Sequence, residues 1–221
     1  IEQKREESKN GKHFLESLLF SQDQLSDDIN ALAEFYNIKL RPFHYICILK
    51  MRKSSNIPYD TENISKHITN SLDDGLKGKN YTLIHMEYAN YLLSLVFANN
   101  YEEAKKSLEY IESGFNLMCS RYSENIEMNL SFSRIRETNS DIKASYKEAF
   151  KALSMIDMYD NDSKVIKYNE LGIIRLFIEL AEIKDVHQYC YENIGPILEY
   201  DKSHGMNSVS YTHLTLPTKL E

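Results

Sequence analysis

The sequence predicts an α+β fold built on an antiparallel sheet in the order β-α-β-β-α-β. Three observations predict it. Residues 81–97 form two apolar runs around a polar break at residues 87–90, a pattern typical of a β-hairpin. Residues 43–51 and 126–132 alternate in polarity or size, as strands do, and the polar alternation of the second stretch predicts a half-buried strand. Amphipathic stretches with a 3.6-residue period separate these strands, which predicts two intervening helices.

The second run of the hairpin is apolar on both faces. Tyr91, Leu93 and Phe97 lie on one face, and Leu92 and Val96 lie on the other. A strand of this kind is expected in the middle of a sheet that is covered on both sides.

Two short helices are predicted before the first strand. Phe14, Leu15 and Leu18 predict a helix over residues 13–20, and the charged residues 1–12 predict a linker or the frayed end of an upstream helix. A second helix has the face Leu25, Ile29, Leu32 and Tyr36, and Asn37 and Pro42 are expected to end it. The sequence leaves open whether these helices pack beside the two sheet helices or on the other face.

The two sheet helices have regular apolar faces. Asn100 and Glu103 have the spacing of a capping box at the start of the second. The order is that of the ferredoxin-like, palm-like fold, in which right-handed crossovers place both helices on one face. The predicted faces are Ile64, Ile68, Leu72 and Leu76, and Ala104, Leu108, Ile111, Phe115, Met118 and Tyr122.

Further elements follow the fourth strand. A helix is predicted on the face Ile142, Tyr146, Ala149, Leu153 and Ile156, then a short strand over residues 164–168. Leu171, Ile174, Ile178 and Ala181 predict another helix. Gly195 is expected to stop a short helix that begins at Asp185, and Pro196 to open a last one over residues 197–203.

Composition restricts the function classes. The 221 residues carry a net charge of −7. Because an acidic surface repels phosphate, these residues are not expected to bind nucleic acid directly. The three cysteines Cys47, Cys119 and Cys190 are odd in number and distant in sequence, which favours free thiols in the cytoplasm. No apolar run approaches the length of a membrane span, so no membrane partner is expected.

Enzyme chemistry is not predicted. Polymerase palms and nucleotide cyclases share this β-α-β-β-α-β core and hold Mg²⁺ with carboxylates at strand and hairpin ends. Here the hairpin tip has one acid, Glu87, and no glycine, and the first strand ends in Lys50, Met51 and Arg52 without an aspartate. We therefore predict no catalytic residue, no metal site and no cofactor, and the residues of any ligand site are not identified.

Two histidines leave an alternative open. His44 and His85 fall in different predicted strands and could be neighbours across the sheet. Each can be read as a hydrogen-bonded sheet histidine or as a ligand or metal contact.

Short motifs after the fourth strand point to a family. They read Ser145-Tyr146-x-x-Ala149, then Val165-x-x-Tyr168, then Leu171-Gly172, then Gly195-Pro196-x-Leu198-x-Tyr200-Asp201. In order and spacing the chain resembles the PucR/CdaR-type bacterial transcriptional regulators of purine catabolism and sugar diacids. The resemblance implies a degenerate GGDEF-like central domain that leads to a C-terminal helix-turn-helix. We interpret the signature residues as structural; they are Ser145, Tyr146, Ala149, Leu153, Tyr168, Leu171, Gly172, Gly195, Pro196, Leu198, Tyr200 and Asp201.

The resemblance also predicts a domain organisation. A linker over residues 1–12 precedes a GGDEF-like domain with N-terminal helices over residues 13–168, and a helical connector covers residues 169–207. Residues 208–221 resemble translated sequencing-adapter DNA rather than natural protein. The chain begins at Ile1 instead of Met, so we expect a fragment, with the helix-turn-helix missing after Asp201.

The predicted function is a non-catalytic module of a cytoplasmic regulator that relays a signal and self-associates, most simply as a homodimer. DNA would be bound only through the missing C-terminal domain, and a small-molecule effector through another domain. Two alternatives stay open. The sheet could keep a small-molecule or nucleotide pocket, as a sensing domain or a degenerate cyclase-like enzyme, or the module could be a protein-interaction domain without a regulatory role.

Overall fold

The structure, a computed structural model, describes residues 2–20, 28–53, 61–76, 81–122, 126–137, 142–156, 164–181 and 184–204. The chain forms two units, residues 1–171 and residues 172–221. Several predicted features lie outside the described residues. They include Leu25 and the tail at 208–221. The sequence also predicts a loop at 54–58, a helix end at Gly78 and Asn80, a helix cap at Ser140 and a turn at 160–162, and these too lie outside the described residues.

The first unit contains a five-stranded sheet. Its strands are β1 (Phe43–Lys53), β2 (Tyr81–Tyr88), β3 (Tyr91–Ala98), β4 (Ile126–Phe132) and β5 (Val165–Lys167). The strand order is β2-β3-β1-β4-β5, with β1 to β4 antiparallel. The predicted ferredoxin-like α+β arrangement is therefore confirmed. The short strand β5 adds a fifth, parallel strand beside β4.

Two helices cover one face of the sheet, as predicted. Helix α3 (Thr61–Leu76) buries Ile64, Ile68 and Leu72, and helix α4 (Tyr101–Tyr122) buries its own apolar face against the same strands. The capping box exists, because Asn100 Oδ1 accepts from the Glu103 amide at 2.9 Å and Glu103 Oε2 accepts from the Asn99 amide at 3.3 Å.

Three further helices cover the opposite face. They are α1 (Glu2–Phe20), α2 (Ile29–Phe35) and α5 (Ile142–Met155), and they bury Phe14, Leu32 and Leu153 against the sheet. This arrangement answers the open question about the N-terminal helices, which lie on the open face. It also corrects the prediction that β4 is half-buried. Helix α5 covers the polar side of that strand and buries Asn129, Ser131 and Ser133.

Helix α1 begins at Glu2 instead of at His13, so the segment predicted as a linker is the first half of that helix. Lysine and glutamate are strong helix formers, which explains why residues without an apolar stripe extend the helix.

The second unit contains helices α6 (Ile174–Ala181) and α7 (Lys184–His204), and a 3₁₀ turn (Tyr168–Leu171) precedes it. The prediction that Gly195 stops a helix is wrong, because α7 runs through Gly195 and Pro196. A residue before proline avoids the helical region because its Cβ meets the proline ring, and glycine has no Cβ. A Cβ at Gly195 would also lie 3.3 Å from Tyr191 Cδ2.

Candidate functional site

The hairpin tip is tight and lacks the parts of a nucleotide site. Tyr88 pairs with Tyr91, so only Ala89 and Asn90 form the turn, and the Met51 amide donates to the Asn90 carbonyl at 3.0 Å. Ala89 has a φ of +53°, a conformation that glycine adopts more easily. Within the part of the chain that the structure describes, no group of three histidine, cysteine or acidic residues could hold a metal ion.

An aromatic cluster surrounds this tip on the face covered by α1 and α5. Phe20 and Tyr88 stack with their ring centroids 5.7 Å apart, and Phe20 meets Tyr146 edge-on at 6.0 Å. Phe150 lies 6.2 Å from Tyr146 and 6.1 Å from Tyr91. Tyr91 is the register partner of Tyr88, and the five rings form one cluster drawn from α1, β2, β3 and α5. We call it the tip aromatic cluster.

The signature residues of α5 mostly fix this helix to the sheet. Ser145, Ala149 and Leu153 are buried on its inner side, and Ser145 Oγ lies 3.2 Å from His44 Nε2. Tyr146 is half-buried and belongs to the tip aromatic cluster.

A charged cluster that the sequence reading missed lies beside these residues. Glu148 is buried, and its Oε1 accepts from Arg134 Nε at 2.9 Å and from Arg136 Nη2 at 2.6 Å. Its Oε2 accepts from the Arg134 amide at 3.2 Å, and the Arg134 guanidinium lies 5.5 Å from the centre of the Tyr168 ring. We call Glu148, Arg134, Arg136 and Tyr168 the Glu148 cluster. One sequence signal was available: Glu148 is three residues after the signature residue Ser145, so the two share a side of the helix.

Two other signature residues end the first unit. Tyr168 and Leu171 are buried, and Tyr168 belongs to the Glu148 cluster. Gly172 follows with a φ of +54° where the second unit begins. The position therefore suits glycine.

The remaining signature residues lie in α7. Tyr191 Oη donates to Glu199 Oε1 at 2.9 Å, and this hydrogen bond raises the pKa of Tyr191. The Tyr191 side chain therefore lies along the surface of α7, from Gly195 before the proline to Glu199 after it. Asp201 is buried, while Leu198 and Tyr200 are 46% and 51% exposed, and Tyr200 stacks on His204 with centroids 4.1 Å apart.

An apolar stripe on α6 faces solvent. Leu176, Phe177 and Leu180 share one side of α6, and Ile173, which directly precedes the helix, continues the spacing i, i+3, i+4 and i+7. Their exposed fractions are 68%, 51%, 62% and 46%. We call these four residues the α6 stripe.

The two sheet histidines are not neighbours, which corrects that possibility. His44 contacts Ser145 of α5 and His85 contacts Asp73 of α3, so the two side chains lie on opposite faces. Both are hydrogen-bonded histidines of the sheet. His85 Nδ1 lies 2.8 Å from Ser94 Oγ and its Nε2 lies 3.3 Å from Asp73 Oδ1.

This aspartate, histidine and serine series is a set that hydrolases also use, but it lacks access. Ser94 is 2% exposed, so a substrate cannot reach its hydroxyl. The neighbouring thiol is unreactive too, since burial raises the pKa of Cys47 to about 12 although a hydrogen bond with Ser94 opposes the rise. The series therefore connects helix α3 to strands β2 and β3 and does not support nucleophilic catalysis.

Comparisons with known proteins add little to this picture. The chain has no significant match to a protein-family model or to a curated protein. Among solved structures it is similar to a regulator of polyketide synthase expression from Bifidobacterium adolescentis. That similarity has a TM-score of 0.41 at 13% identity and covers 92% of this chain and 80% of that chain. A similarity of this size carries no argument about family or function, so the resemblance to PucR/CdaR-type regulators depends on the sequence motifs.

No helix within the described ranges is both long enough and apolar enough to cross a membrane.

Proposed function

We propose that this chain is a non-catalytic module of a cytoplasmic PucR/CdaR-type regulator, which self-associates and relays a signal between other domains. The observation that carries the proposal is the α6 stripe, because four large apolar side chains at helical spacing are left in water. Exposed apolar patches of this kind mark protein interaction sites.

The occupant that the α6 stripe fits best is the same helix of a second copy. The stripe contains no charged residue, and fully burying one such side chain stabilises by roughly 1.5–3 kcal/mol. A two-fold contact uses one patch twice, which makes it the simplest closed assembly.

The relay would run through the Glu148 cluster. Arg134 and Arg136 lie two and four residues after β4, Glu148 belongs to α5, and Tyr168 lies three residues before the end of the first unit. A shift of α5 against the sheet would therefore move the residue pair Tyr168 and Leu171, next to Gly172. The glycine-free hairpin tip with its single acid supports a non-catalytic role. In this proposal, DNA recognition belongs to a helix-turn-helix elsewhere in the regulator.

Sedimentation equilibrium over a wide concentration range tests the proposal. The wild-type chain is expected to dimerise, and Leu176→Asp is expected to remain monomeric because it places a charge in the centre of the α6 stripe. Glu179→Gln is the matched control on the same helix and should retain a dimer. A wild-type chain that stays monomeric at the highest concentration would contradict self-association, as would a Leu176→Asp variant that dimerises like the wild type.

A further inference from the structure

Strand β2 lies at the edge of the sheet and pairs with β3 on one side. The Met51 amide donates to the Asn90 carbonyl, so Asn90 and every second residue that follows it bond to β1. The residues of β3 between them bond to β2, where their register partners are Thr82, Ile84, Met86 and Tyr88. The backbone N–H and C=O groups of the alternate residues, Leu83, His85 and Glu87, therefore point away from the sheet. We call these outward groups the β2 edge.

The β2 edge is unpaired. Within the described part of the chain, no hydrogen bond reaches the outward backbone groups of Leu83, His85 and Glu87. The Tyr81 carbonyl, two residues before Leu83, accepts from Arg41 Nη2 at 3.4 Å, which agrees with the outward direction of this series. A row of unpaired N–H and C=O groups is a template for a further strand.

The strand that carries this edge is regular and held on both faces. Its register with β3 runs unbroken from Tyr81 to Tyr88, and its sequence has neither the lysine nor the proline that often protects an edge. A Cβ at Gly11 of α1 would lie 2.9 Å from Ile84 Cγ2, so α1 packs closely on one face. On the other face, His85 Nε2 lies 3.3 Å from Asp73 Oδ1 of α3. The backbone is thus fixed in the extended form that strand addition needs.

The two ends of the β2 edge carry opposite charges. At the start of the strand, Arg41 Nε donates to Thr82 Oγ1 at 3.2 Å, and the same guanidinium contacts the Tyr81 carbonyl. Near the other end, Glu87 is exposed. A guanidinium has five N–H donors, so Arg41 can bind an anionic group in addition to its present acceptors. An antiparallel strand with a base near its start and an acid near its end would match both charges.

We propose that the β2 edge binds an extended segment of a partner protein as an added antiparallel strand. The backbone groups of Leu83, His85 and Glu87 hold the segment, a basic side chain pairs with Glu87, and an acidic side chain pairs with Arg41. The site belongs to the first unit and is separate from the α6 stripe. It therefore goes beyond self-association, and either proposal can fail alone.

The probe is the peptide Lys-Ile-Thr-Val-Val-Thr-Asp, amidated at its C-terminus and joined to an uncharged fluorescent dye at its N-terminus. Paired antiparallel to β2, its lysine lies opposite Glu87 and its aspartate opposite Tyr81, beside Arg41. Fluorescence anisotropy is expected to show saturable binding to the wild-type chain. The peptide with lysine and aspartate exchanged has the same composition and should bind about fivefold more weakly, because like charges meet at both ends. Absence of saturable binding, or equal binding of the two peptides, would overturn the proposal.

Methylation of the peptide nitrogens tests the main-chain hydrogen bonds. Methyl groups on the first, third and fifth residues remove the N–H donors that face the β2 edge, so saturable binding is expected to disappear. The matched control carries methyl groups on the second, fourth and sixth residues, whose N–H groups point away, and should bind like the unmodified probe. Equal binding of the two methylated peptides would overturn strand addition.

A charge exchange locates the segment. Glu87→Lys is expected to weaken binding of the probe and to strengthen binding of a peptide in which aspartate replaces the first lysine. Glu109→Lys is the matched control, an exposed glutamate of α4, and should leave the preference for the probe unchanged. If Glu87→Lys does not change the preference between the two peptides, the segment lies elsewhere and the proposal fails.

Hydrogen exchange distinguishes a partner segment from a second copy of the chain. Peptides covering residues 83–87 are expected to exchange more slowly when the probe is present. Without the probe, they should exchange at the same rate at low and high protein concentration. A slowing with concentration in the absence of the probe would show that a second copy occupies the β2 edge, which would overturn the proposal.

Discussion

Ala89 holds a left-handed conformation at the tip of the hairpin, with a φ of +53°. This conformation costs an L-residue about 1–2 kcal/mol, and glycine avoids most of that cost. We predict that Ala89→Gly raises the free energy of unfolding by about 1 kcal/mol after the added chain entropy of glycine is subtracted. Urea denaturation measures this change in the free energy of unfolding.

Asn37 provides the control for this prediction. It has a φ of +55° at the end of α2, but asparagine tolerates this region through local hydrogen bonds. Asn37→Gly should therefore change the free energy of unfolding by no more than about half as much. A destabilised Ala89→Gly, or a larger gain at Asn37, would show that the tip is not strained as described.

Glu148 is the acid on which two arginines converge. Its side chain is 7% exposed, and those of Arg134 and Arg136 are 42% and 23% exposed. Removing one partner of a buried ion pair costs several kcal/mol, and the exposure of the arginines reduces this cost. We predict that Glu148→Ala lowers the free energy of unfolding by about 2–3 kcal/mol.

Lys143→Ala serves as the comparison, because Lys143 is exposed on the same helix. It should change stability by about 0.5 kcal/mol or less in the same urea experiment. Equal effects at the two positions would mean that the Glu148 cluster contributes nothing to the first unit.

At the scale of elements, β3 is an inner strand of the sheet, because it pairs with both β1 and β2. Leu93 is 3% exposed between these strands. We predict that Leu93→Asp buries an unpaired charge and lowers the free energy of unfolding by about 3–5 kcal/mol.

Leu117→Asp makes the same chemical change at a leucine of α4 that is 57% exposed. It should leave the thermal midpoint nearly unchanged. A Leu93→Asp variant that melts like Leu117→Asp would show that β3 is wrongly placed.

Strong periodicity made the sheet and its two crossover helices predictable from sequence. The face Ile64, Ile68 and Leu72 and the capping box at Asn100 are local signals, and the structure retains both. The position of α5 over β4 was not predictable in this way. Its consequence, the burial of Asn129 and Ser131, depends on which sheet face a distant helix covers.

The continuity of α7 was missed for a different reason. A glycine followed by proline usually marks a helix end, and here Tyr191 packs against Gly195 and hydrogen-bonds Glu199 beyond the proline. The candidate site shows the same limit. Tyr88 and Tyr146 could be placed in their elements, but the tip aromatic cluster exists only because α1, α5 and the hairpin meet in space.

At the scale of the whole molecule, the two units contribute different parts of the proposed function. The first unit is a sheet covered on both faces, and its last residues, Tyr168 and Leu171, are buried. The second unit leaves the α6 stripe in solvent. In the function that we propose, the first unit holds the relay and the second brings two copies together.

Hydrogen exchange measured at low and at high protein concentration tests the central claim, self-association through the second unit, most directly. We predict that peptides covering residues 173–181 exchange more slowly at high concentration, while peptides covering β2 and β3 exchange at the same rate in both samples. Exchange that does not depend on concentration, or a slowing confined to the first unit, would contradict the account.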